Sequence, residues 1–171
     1  MSPLTLSIAL SLLLPVSGQM HGQLPPASDQ ATAIFSFINS RVTYRTYTNV
    51  RYSYSIAYPL GILIPQGEAT NSDGQIFRSK DGRAEMRVFG SQRLDRSLSD
   101  EFSAAQENRN VTYKVMKKDM FVVSGTADGK IFYQKTLLRG DVFKTFMIEY
   151  DEGARATYDS IAARVSQSFR G

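Results

Sequence analysis

The sequence predicts an α+β fold: an antiparallel sheet of about six to seven strands with helices packed on it, the layering that such element patterns favour. Three observations carry this. Apolar and polar residues alternate along several runs, the period of a half-buried strand. The runs are joined by links such as Lys118-Asp119 and Gly140-Asp141, too short for anything but an antiparallel return. Two segments, 97–108 and 154–169, switch to the helical period, and a helix with one apolar face must cover a sheet.

The chain has 171 residues, the size of one domain, and is 42% hydrophobic and 21% charged. A domain of this length buries roughly 70% of its unfolded surface and needs no covalent staple. The absence of cysteine agrees with that. Residues 1–18 read as a signal peptide. The run from Leu4 to Val16 is uncharged and almost wholly apolar. It is too short to cross about 30 Å of hydrocarbon, which takes roughly 20 residues. Val16-Ser17-Gly18 offers the small residues a signal peptidase reads, which places cleavage near Gly18–Gln19. Residues 19–40, with Pro25-Pro26 and few bulky apolar side chains, form a flexible leader. Residues 41–171 form a single domain. The expected location is periplasmic or secreted, with no stable membrane span after signal cleavage.

Val50 to Tyr58 alternates strictly, which predicts a strand ended by Pro59. Its face of Tyr52, Tyr54, Ile56 and Tyr58 belongs in a core, because a buried tyrosine removes roughly 150–250 Å² from water. Residues 60–74 read as a short apolar segment followed by a polar loop. Strands at 75–80 and 83–90 flank Asp81-Gly82, a pair that suits a two-residue hairpin. The segment 97–108 is a helix, with Ser97 or Ser99 as cap and Asp100 and Glu101 in the first turn. Leu98, Phe102 and Ala105 share one face. Four strands follow as a meander: Val111–Lys117, Phe121–Thr126, Lys130–Leu138 and Val142–Tyr150. A last helix from about Ala154 to Phe169 carries Ala154, Tyr158, Ile161, Ala162, Val165 and Phe169 as its apolar stripe.

This order of elements resembles the PsbP-like superfamily, which includes DcrB-type bacterial envelope proteins. The resemblance is distant and at the level of the fold. It is carried by "YSIAYP", by the hairpin "GQIFRSKDGRAEMRVFG" with the helix after it, and by "FMIEYD" leading into "YDSIAARVSQSF". It covers residues 50–169. What it implies is a non-catalytic accessory or binding module, since this superfamily shares a fold far more than an activity.

Several chemistries are closed off by composition. The one histidine, His21, lies in the leader, where it cannot be held between a nucleophile and a carboxylate. Without cysteine there is no thiol nucleophile, redox pair or His/Cys zinc site. No serine is followed three residues later by lysine, and no phosphate loop or dinucleotide fingerprint occurs. No cofactor is expected. "ATNSDG" has Asn71, Asp73 and Gly74 at a calcium loop's spacing, but Ala69 and Lys80 stand where that loop needs carboxylates, so it reads as a turn. Paired carboxylates keep one enzymatic alternative open, a hydrolase of polysaccharide or peptidoglycan. The pairs are Glu68 with Asp73, Asp95 with Asp100, and Glu149 with Asp151.

The net charge of +4 favours acidic partners, and all formal charges lie beyond residue 28. Arg41, Arg45 and Arg51 alternate with tyrosines in 41–54 and read as outward residues of two strands rather than a nucleic-acid platform. The expected partner is a protein or an anionic envelope component. The candidate contact residues are Glu68, Asn71 and Asp73 of the 60–74 loop, with Lys117, Lys118 and Arg45.

Overall fold

A computed structural model describes residues 42–171; the segments expected to be signal peptide and leader, with His21, lie outside the described residues. The strands are β1 (Tyr44–Asn49), β2 (Tyr54–Pro59), β3 (Leu63–Glu68), β4 (Gly74–Ser79) and β5 (Ala84–Gln92), then β6 (Asn110–Lys117), β7 (Met120–Ala127), β8 (Lys130–Arg139) and β9 (Val142–Asp151). Helix α1 (Leu98–Ala104) stands between β5 and β6, and helix α2 (Arg155–Ser168) follows β9 after a short 3₁₀ turn. Seven strands make one antiparallel sheet in the order β3-β4-β5-β9-β8-β7-β6, and β1 and β2 form a separate hairpin.

Side-chain parity along the central strands separates two cores. Ile131, Leu137, Phe146, Ile148 and Tyr150 point to one face, where β2 and α2 cover them. Phe132 and Phe143, of opposite parity, point to the other face with Phe121 and Val123, under Leu98, Phe102 and Ala105. The expected stripe of α2 is buried throughout. On the first face Tyr54, Ile56 and Tyr58 are buried, as the alternation predicts. The ring of Tyr58 lies 4.7 Å from that of Phe77, and Tyr54 meets Phe169 edge-on at 6.1 Å.

Four expectations change. The strand predicted from Val50 begins at Tyr54, and residues 50–53 are the turn between β1 and β2. Asn49 Oδ1 accepts the Tyr52 N–H at 2.9 Å and Ser53 takes a positive φ of 52°, which bends the chain before the pairing resumes. Tyr52 is still half-buried, its ring lying against Gly90 where any Cβ would collide with it. The apparent loop at 60–74 contains β3, an edge strand bulged between Pro65 and Glu68. The two-residue hairpin is a four-residue turn: Ser79 and Ala84 end the strands, and of the Asp81-Gly82 pair only Gly82 has positive φ. Asp81 fixes that turn, accepting from Ser79 Oγ at 2.6 Å, the Arg83 N–H at 3.0 Å and the Tyr158 hydroxyl at 3.0 Å. The Ser79 bond, then the Arg83 one, holds its carboxyl below the usual range. The first helix stops at Ala104, four residues short of the expected end.

Candidate binding surface

The loop that joins β3 to β4 is fastened from behind by the tip of the β1–β2 hairpin. Asn49 is wholly buried there. Its Nδ2 donates to the Ser72 carbonyl at 3.0 Å and reaches the Tyr47 hydroxyl at 3.2 Å. Tyr47 in turn donates to Glu68 Oε1 at 2.6 Å. The Tyr54 hydroxyl sits between the carbonyls of Asp73, at 2.9 Å, and Val88, at 3.2 Å. Arg51 donates to the Asn71 carbonyl, and Asn71 Nδ2 to Asp73 Oδ2. Burial raises the pKa of both tyrosines, helped by the neighbouring Glu68, so each keeps the proton it donates.

In front of the same loop lies a pocket of about 330 Å³. Gln66, Gly67, Asp73, Gly74, Ile76 and Phe89 are among the residues that line it. Two glycines shape it. Gly67 takes φ +97° inside the bulge, and a Cβ on Gly74 would stand 2.0 Å from the Val88 carbonyl oxygen. Phe89, 36% exposed, gives the pocket an aromatic wall.

Glu68, Asn71 and Asp73 are thus brought together, with Glu68 held by Tyr47. Arg45 is exposed on β1, opposite Tyr58 in the register. Lys117 ends β6 and Lys118 begins the turn after it, at the edge of the sheet farthest from β3. Six strand spacings of about 4.8 Å put that edge roughly 29 Å from β3 across the sheet. The loop residues and the two lysines therefore lie on two separate surfaces, and Arg45 stands apart from both on the β1–β2 hairpin. Asn49, buried beneath the first of these surfaces, and Phe89 on it were passed over in the sequence, and Tyr47 counted there only as one of the tyrosines of 41–54. The one signal was an asparagine inside a strand pattern, a turn residue whose partners lie some twenty positions away.

Of the three carboxylate pairs, Glu68 and Asp73 share the loop, bonded to Tyr47 and Asn71, while members of the other two are engaged elsewhere. Asp100 closes a capping box with Ser97, whose backbone N–H holds its carboxyl below the usual range. Glu149 faces Arg109 at 3.9 Å and Asp151 faces Arg83 at 3.5 Å. Glu85 is also held low: burial pushes it up, but its bonds to Arg78 and Arg87 outweigh this. Among the described residues no group of three or more His, Cys, Asp or Glu could hold a metal ion. No helix among them is long and apolar enough to cross a membrane.

No protein-family model and no curated protein matches this sequence. Among solved structures the chain is similar to the solution structure of cyanobacterial PsbP (CyanoP) from Synechocystis sp. PCC 6803. The TM-score is 0.56 at 16% identity, over 75% of this chain and 92% of that one. The fold is PsbP-like. At that identity the likeness carries the architecture of the PsbP-like sheet and its helices, and it transfers no residue's role.

Proposed function

We propose that this PsbP-like protein is an exported, non-catalytic accessory module that binds a protein partner at the pocket beside the 69–74 loop. The observation that carries the reading is the two-sided construction of that loop. Hydrogen bonds from Asn49, Arg51 and Tyr54 hold its backbone from behind, while Phe89 and Ile76 stand open in front. A surface already held in shape loses little ordering entropy when it is covered. The hydrolase alternative needs two carboxylates facing one cleft, at least one with a raised pKa. Among the candidate pairs Asp100 is displaced downward, Glu149 and Asp151 face arginines, and Glu68 and Asp73 are bonded to Tyr47 and Asn71. Export rests on the sequence of residues 1–18.

The test is a pull-down from the native cell envelope with the chain from Gln19 as bait, at low and high salt, beside a Phe89→Ala bait. One protein retained at both salts and lost from the Phe89→Ala bait is the expected result. Acidic glycan or lipid that washes off at high salt would replace it with electrostatic surface binding. A protein held equally by both baits would move the contact away from the pocket. No retention at all would overturn the reading and make hydrolysis of envelope polymers the next assay.

A further inference from the structure

We propose that β6 is a docking edge for an extended acidic segment of a partner, which adds to the sheet as a further strand. This goes beyond the pocket, which lies at the opposite end of the strand order.

Among the described residues β6 pairs with β7 alone, so the backbone groups along its outer side have no ladder partner. Its eight residues offer roughly 26 Å of edge. The two edges of the sheet are not alike. β3 is blunted by Pro65, which has no N–H, and by the bulge that follows it. β6 has no proline, and its register slips only near its start, between Val111 and Tyr113.

The chemistry of β6 selects its occupant. Lys114, Lys117 and Lys118 stand in the stretch 110–118, which contains no acid, and no described ion pair engages them. Asp119, just beyond, is bridged to Arg139 at 2.7 Å. The β7 residues opposite Tyr113–Lys117 run from Ser124 to Met120 and carry no charge. Parity places Lys114 and Met116 on the α1 side of the sheet, where Lys114 Nζ reaches Gln106 at 2.9 Å. Tyr113 and Lys117 fall on the other side. One side thus shows Lys114 next to Met116, 45% exposed, and the other Lys117 and Tyr113, 56% exposed, with Val115 between them.

An incoming strand with acids and apolar residues alike meets complementary cross-strand neighbours on both sides. A second copy of β6 would bring further lysines to an edge that holds no acid, which disfavours self-pairing. Residues 19–40 of this chain hold a single formal charge, Asp29, and do not supply the acidic segment.

Amide exchange on the full chain from Gln19 tests this. The probe is a blocked eight-residue peptide of Glu-Glu-Val-Val repeats, which puts both residue types on each face; the controls replace Val with Pro, or Glu with Lys. The Glu-Val peptide is expected to protect β6 amides, while the Glu-Pro peptide, with equal charge but no ladder, does not. Lys114→Glu with Lys117→Glu should weaken binding at least tenfold, the cost of removing charge-complementary cross-strand pairs. Phe89→Ala should leave it unchanged, which separates this edge from the pocket. Equal binding of the Glu-Pro peptide would reduce the effect to charge alone and overturn the proposal. So would β6 protection that rises with protein concentration without peptide, or no protection in β6 at all. The peptide series reads the outcome even if the double variant fails to fold.

Discussion

Asn49 is a small residue with a large reach. It turns the chain through the Tyr52 N–H and secures the next loop through the Ser72 carbonyl, all from a position with no exposed surface. Alanine there removes two hydrogen bonds to part-buried groups, the Tyr52 N–H and the Ser72 carbonyl, at about 0.5–1.5 kcal/mol each. Urea unfolding of Asn49→Ala is expected to show a loss of about 1–3 kcal/mol on that basis. Amide exchange of residues 69–74 should quicken with it. A variant as stable as the parent, with its loop still protected, would show that β3 and β4 hold the loop unaided. Asn49→Asp makes a finer comparison. It keeps the acceptor for Tyr52, loses the donor for Ser72, and sets a second carboxylate beside Glu68, whose Oε1 lies 3.4 Å from Asn49 Nδ2.

At the scale of elements, α1 shows how a short helix is specified. It has seven residues, too few to stand alone, and it is started by Ser97 and Asp100 bonding each other's backbone N–H. Ser97→Ala should cost about 1 kcal/mol. That loss should appear in thermal unfolding and as faster exchange confined to α1 and the strand under Phe102; unchanged exchange there would mean that packing alone places the helix. The elements legible in the sequence are those whose pattern and burial agree. In α2 one-sided burial leaves its period in the residues, and β7, β8 and β9, buried on both faces, show as apolar runs between turn residues. β3 hid because it is an edge with one buried side chain, Leu63, and then Pro65 and Gly67. Residues 50–53 misled in the other direction: Tyr52 keeps the alternation because its ring is half-buried over Gly90, although the backbone there is a turn. The site was legible only as a loop. Turn composition marked Asn71 and Asp73, but the groups that hold them come from a hairpin about twenty residues earlier, and nothing local encodes that distance.

Across the whole molecule six tyrosines are held protonated. Tyr54 and Tyr150 are pushed well above the usual range by burial, Tyr150 also by its bond to Asp159. Tyr44, Tyr47, Tyr133 and Tyr158 are raised too, burial first. In the unfolded chain these groups ionise near pH ~10, while the native state keeps their protons. Above about pH 10 the native state binds more protons than the unfolded one, so stability falls as pH rises, and this contribution is complete only below that value. Lys135 and Lys144, lowered chiefly by burial, act in the opposite sense, but they are two against six. The urea midpoint should drop between about pH 9.5 and 11, and Tyr54→Phe with Tyr150→Phe should flatten the decline. A midpoint that holds or rises over that range would contradict the assignment.

The place of β9 bears on the same molecule in time. It is the last strand made and it lies in the middle, between β5 and β8. Until residues 142–151 leave the ribosome, β3-β4-β5 and β6-β7-β8 are two meanders with no strand to join them. Pairing Ala84 with Tyr150 closes a loop of some 66 residues, the kind of distant contact that folding reaches slowly. Synthesis thus runs ahead of folding here, and the nascent chain stays unclosed for most of its length. A chain in that condition can still be threaded through a narrow pore.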